Sequence, residues 1–162
     1  MSLLELDRKM QQVNQLTAKL PDRIINLARL EECYLLAFQL NALFKDMWRT
    51  ARSLSPQSNP AQGNQELMSQ IQTEFNNCMH TIASLLIGVL VNVGNESPLF
   101  QKVMSDLDEN RDVLRLIKNP EHTEAELLGA HLALFKVANK RGKELALKAF
   151  ANSFAEEDEA TV

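Results

Sequence analysis

Glycine and proline are scarce in this chain, five of each in 162 residues, and they cluster instead of scattering. A β-sheet protein needs turn residues after every strand, yet the intervals between these clusters are far longer than a strand. The scarcity therefore argues for helices. The few glycines form no Gly-x-Gly-x-x-Gly or Walker sequence, which removes the usual phosphate cradles. Cysteine is nearly absent as well. Cys33 and Cys78 each sit inside an apolar run, so they make no disulfide framework and fit small buried hydrophobes of a reducing, cytoplasmic setting.

A large charge of one sign is also missing. The formal charge is −4, so the chain as a whole carries no basic footprint for nucleic acid. The N-terminal residues mix both charge signs and then turn polar, with no apolar core of a signal peptide. The longest apolar run, Ile82 to Val93, is too short to span a bilayer, so no membrane span is expected there and a buried core helix is.

The three histidines, His80, His122 and His131, lack the spacings that chemistry requires. None follows a glutamate at the Glu-x-x-His spacing of di-iron bundles, and neither His-Glu-x-x-His nor Cys-x-x-Cys occurs. No serine or cysteine stands in a nucleophile elbow. No catalytic residue, metal site or cofactor is expected from these patterns, and the chain reads as a non-enzyme. His131 falls on the apolar stripe with Leu128, Phe135 and Ala138, which predicts an interior histidine; His80 is expected to be partly buried and His122 to lie in a turn.

What the sequence does contain is long amphipathic helix. Residues 1–20 place Leu3, Leu6, Met10, Val13, Thr17 and Leu20 at alternating spacings of three and four, a narrow coiled-coil-like seam. Pro21 interrupts it, and a second helix is expected from Asp22 to Leu54, with a middle, Cys33 to Phe44, that is apolar almost all round. Ser55 to Asn64 reads as a loop. A third helix follows from Gln65 to Asn92. Gly94, Ser97 and Pro98 then supply a stop, an N-cap and a first-turn proline. The fourth helix is expected to break over Asp106–Asp112. Thr123 and Glu126 have the form of a capping box, opening a last helix to about Phe154, bent near Asn139–Gly142, with a frayed acidic tail over 156–162. The fold class is an all-α antiparallel bundle of about five or six helices with one long central helix, a single domain over residues 1–155.

Function is legible only as a surplus of apolar helix surface. The first-helix seam (Leu3, Leu6, Met10, Val13, Leu20) and the apolar second helix (Tyr34, Phe38, Phe44, Trp48) ask for cover from a second copy or a helical partner. That points to an adaptor, chaperone-like or assembly component that self-associates. A competing expectation is a DNA- or RNA-binding regulator using the one basic segment, Lys136, Lys140, Arg141, Lys143 and Lys148, with 138–144 as the turn of a helix–turn–helix. A third is an Mg²⁺-dependent all-α nucleotide hydrolase, which would place carboxylates one helical turn apart, as Glu109 with Asp112 or Glu121 with Glu124 would.

Overall fold

The computed structural model describes the backbone of residues 2–53, 60–94, 96–110 and 112–160, and the side chains of 4–53, 65–94, 96–108, 110 and 112–153. Six α-helices account for most of it: α1 (Ser2–Thr17), α2 (Leu27–Ser53), α3 (Pro60–Asn92), α4 (Pro98–Asp106), α5 (Asp112–Lys118) and α6 (Glu124–Ala160). A single 3₁₀ turn, Asp108–Asn110, joins α4 to α5, so the fourth helix does break where the polar run stands. Among the described residues there is no strand. The fold is an all-α helical bundle.

Capping chemistry fixes several boundaries. Ser97 holds extended geometry and its hydroxyl accepts from the Leu99 amide at 3.3 Å, with Pro98 in the first turn of α4. The Thr123 hydroxyl accepts from the Glu126 amide at 3.1 Å and donates to the Glu126 carboxylate at 3.1 Å, closing the start of α6. The second helix starts later than Asp22. The Asn26 side-chain oxygen Oδ1 accepts from the Arg29 amide at 2.9 Å, and that cap places the first helical residue at Leu27. Helix α1 correspondingly ends at Thr17, so Leu20 reaches the core from a turn that follows the helix. At the other side of the expected loop, residues 60–64 are already helical, with Pro60 opening α3, and residues 54–59 lie outside the described residues.

Length is shared among three helices instead of being concentrated in one. Helix α2 has 27 residues, about 40 Å at 1.5 Å per residue, while α3 has 33 and α6 has 37. Helix α6 runs without interruption through 139–142, and its helical backbone continues to Ala160, where a frayed tail was expected. Phe44 of α2 meets Phe75 of α3, and Trp48 and Arg52 line a hollow with Met68 and Gln65, so α2 and α3 run antiparallel. Phe75 and His80 of α3 meet Phe135 and His131 of α6, so that pair is antiparallel too. The three phenylalanines pack edge to face with ring centroids 5.4 and 5.3 Å apart, a geometry that adds electrostatic attraction to their area burial.

Helix α2 packs against α1, α3 and α6. This explains its apolar perimeter: Leu30, Cys33, Tyr34, Leu36, Ala37, Leu40, Phe44, Met47 and Ala51 are all buried. Where α6 crosses α2, Gly142 makes the approach possible. A Cβ on Gly142 would stand 1.9 Å from the Tyr34 carbonyl oxygen and 2.8 Å from the Phe38 Cβ. The stretch Gln65–Asn92 of α3 is long and apolar enough to cross a bilayer by length and composition alone, a test that a buried core helix also passes. One face of α3 is packed in the core, where Ile71, Cys78, Met79, Ile82, Ala83, Leu86, Val89 and Leu90 are buried.

Candidate functional site

The faces that the sequence marks as needing a partner are largely covered from within the chain. Leu6, Val13, Tyr34 and Phe44 are buried, and Met10, Leu20 and Trp48 pack partly buried against the same core. Phe38 is half-buried beside Gly142. The side chain of Leu3 lies outside the described residues. Leu6, Val13, Tyr34 and Phe44 are core positions, covered because α2 packs against α1, α3 and α6.

The large exposed apolar side chains are other ones: Leu4, Ile25, Leu27 and Val91, and four that share α6. Leu128, Leu132, Leu147 and Phe150 on α6 are exposed by 55, 37, 58 and 65%. At 3.6 residues per turn, Leu132, Lys136, Lys140, Lys143, Leu147 and Phe150 fall within an arc of about 80° on the outer side of α6. Apolar residues thus stand at both ends of this face and lysines in its middle. Sequence reasoning missed it because the same helix buries a second stripe, Ala130, His131, Leu134, Phe135, Val137 and Ala138, and the two together blur any single periodicity.

The five basic candidates separate in space. Lys136, Lys140 and Lys143 are exposed on that outer face, and Lys148 is exposed about 80° further round the helix. Arg141 turns inward. Its guanidinium NH1 pairs with Glu144 at 3.0 Å, and its Nε lies 3.3 Å from Asp106 Oδ1 without the alignment to donate to it. Because 138–144 is uninterrupted helix buried against α2 at Gly142, a helix–turn–helix there is ruled out. Lys136 and Lys140 also share a cavity of about 290 Å³ with Asp106, Asp108 and Asn110, so acid and base alternate on that side.

Asp106 is the centre of a buried polar knot between α2, α4 and α6. Its side chain is 3% exposed. Oδ2 accepts from the Tyr34 hydroxyl at 2.7 Å, and Oδ1 accepts from Lys102 Nζ at 3.1 Å. Burial, then the neighbouring Asp106 charge, pushes the Tyr34 phenol well above its ordinary range, which leaves it a hydrogen-bond donor and no acid catalyst at neutral pH. Burial likewise pushes the Cys33 thiol up to about 12 and the Cys78 thiol to about 11. Neither is a poised nucleophile.

The histidines bring a second unforeseen juxtaposition. His80 of α3 and His131 of α6 face each other with Nδ1 atoms 3.2 Å apart and ring centroids 4.8 Å apart. His131 is buried as expected, whereas His80 is exposed, not half-buried. Burial, then the adjacent His80, holds His131 below its ordinary value. His80 lines a cavity of about 570 Å³ between α3 and the 21–24 segment, with Asp22, Thr81 and Ser84 in its wall. His122 sits in a turn on the Asn119 carbonyl.

The carboxylates expected to hold Mg²⁺ do not assemble. Asp112 is 96% exposed, 3.8 Å from Arg115; Glu121 and Glu124 are exposed, and the Glu109 side chain lies outside the described residues. Glu109 and Asp112 belong to different elements, so they are not one turn apart on a single helix. Among the described residues no group of three histidine, cysteine or acidic side chains converges. No protein-family model matches the chain, and neither a curated protein nor a solved structure matches it.

Proposed function

We propose that this is a non-enzymatic helical interaction protein, an adaptor or assembly component whose docking surface is the outer face of α6. The observation that carries this reading is the run of exposed Leu128, Leu132, Leu147 and Phe150 with Lys136, Lys140 and Lys143 between them. Such a face suits a helix that presents apolar residues at i, i+3, i+4 spacing and carboxylates opposite the lysines. A second copy of this net-acidic chain is the simplest such partner, so the primary expectation is self-association.

Sedimentation of the full chain over a wide concentration range tests it. Wild type should move to a larger species, and Leu128→Asp with Leu147→Asp should hold it monomeric at an unchanged melting temperature, since both side chains are more than half exposed. A monomer at every concentration that also ignores a designed acidic amphipathic helical peptide would end this reading.

A nucleic-acid role has one observation in its favour, the three lysines on a single exposed face. It lacks the readout element, and three phosphate contacts give a salt slope no steeper than about 2.7. It is the weaker proposal for that reason. The magnesium-dependent hydrolase has no converging carboxylates in its support among the described residues.

A further inference from the structure

The geometry points to a binding site for a divalent transition-metal cation of the zinc and copper class, held by the Nδ1 atoms of His80 and His131. Two imidazole nitrogens bound to one tetrahedral zinc, each about 2.0–2.1 Å from the metal, stand about 3.3 Å apart. The two Nδ1 atoms here are 3.2 Å apart, which matches that separation, and a cation takes both once each ring turns its lone pair off the N···N line.

His131 is held by burial, and His80 stands exposed on a helix that is itself packed. His80 is flanked on α3 by buried Met79 and Ile82, and His131 on α6 by buried Ala130 and Leu134. A site carried on two packed helices loses little freedom when it binds. In the free protein one Nδ1 carries a proton and the other accepts it. On metal binding the donor ring moves that proton to Nε2, both Nδ1 lone pairs go to the metal, and no net proton is released.

Access and donor set define the ligand class. His80 is exposed and opens onto the cavity of about 570 Å³, which admits a hydrated ion. With no third histidine, cysteine or acid joining the pair among the described residues, water fills the remaining positions. Two neutral nitrogens select zinc, copper or nickel over magnesium and calcium, which take oxygen donors. No sequence motif marks this pair, because its members lie on different helices 51 residues apart.

Titrating the metal-free full chain with Zn²⁺ in a calorimeter tests the site. Wild type should bind one equivalent, and Mg²⁺ should give no heat. His80→Ala, a change at an exposed position, should weaken Zn²⁺ binding by more than about tenfold, the loss seen even for groups that only support a metal ligand. His122→Ala should leave binding unchanged. In imidazole ¹⁵N spectra the Nδ1 resonances of both His80 and His131 should move together on adding Zn²⁺. No saturable heat, or Zn²⁺ binding as tight in His80→Ala as in wild type, or unmoved Nδ1 resonances, would overturn the site and leave the pair a plain hydrogen bond.

Discussion

Replacing Gly142 by alanine is the sharpest test of how α6 is seated. In an unpacked helix the change should stabilise, because glycine in a helix interior costs about 1 kcal/mol relative to alanine. Here the added Cβ would lie 1.9 Å from the Tyr34 carbonyl oxygen, 2.6 Å from its carbonyl carbon and 2.8 Å from the Phe38 Cβ. The nearest two atoms are α2 backbone, which no rotamer change can move aside. Either α6 shifts outward or α2 bends, and overpacking of this kind costs about 3 kcal/mol or a little more. After the helix-propensity gain the net loss is about 2 kcal/mol, which for a chain of this size lowers the melting temperature by roughly 4–8 °C.

Two other helical glycines supply the control. Nothing stands within 4 Å of a Cβ on Gly129, and only Asn92 Nδ2, at 3.9 Å, approaches one on Gly88. Gly129→Ala should therefore gain up to about 1 kcal/mol, opening a gap of about 3 kcal/mol between two chemically identical substitutions on one helix. Urea unfolding followed by circular dichroism measures both. If Gly142→Ala is as stable as Gly129→Ala, the close crossing of α6 over α2 is wrong, and with it the rejection of a turn at 138–144.

Phe44→Ala removes the buried end of the three-ring stack and should cost about 3–5 kcal/mol, seen as a lower urea midpoint; loss of partner binding with stability intact would instead make it a surface contact. Tyr34→Phe leaves Asp106 Oδ2 without its 2.7 Å donor and should cost about 1–3 kcal/mol; an unchanged midpoint would show that water replaces the hydroxyl. With thiols pushed up to about 12 and 11, neither cysteine should react with a thiol reagent at pH 8 until the chain unfolds, and rapid labelling of the folded protein would contradict their burial. His131 is held below its ordinary value of 6.5, so the unfolded chain takes up its proton first. Its contribution is therefore intact above about pH 6.5 and is lost as pH falls from there toward the depressed folded value. Unfolding in chelator should show this loss in wild type and less of it in His131→Gln.

The sequence and the structure agree where the determining physics is local. Ser97-Pro98 and Thr123 with Glu126 mark helix starts because a cap is completed within three residues. The same local logic applies to Asn26, whose side chain stands three residues before the amide it accepts from. Gly142 is different. Read along the chain it is a helix breaker among basic residues, and only the path of α2 shows that its missing side chain is what allows the contact. Periodicity was similarly ambiguous for the apolar surplus. A helix apolar on most faces is compatible with neighbours from its own chain or from another, and α1, α3 and α6 supply them here. What is left exposed on α6 is a smaller surface, interleaved with lysines, and the His80–His131 pair belongs to no local pattern at all. Both features that could carry function are relations between helices or around one helix. Spacing along a chain encodes the faces of a helix, but which faces meet is settled by packing, and that is where the candidate sites arise.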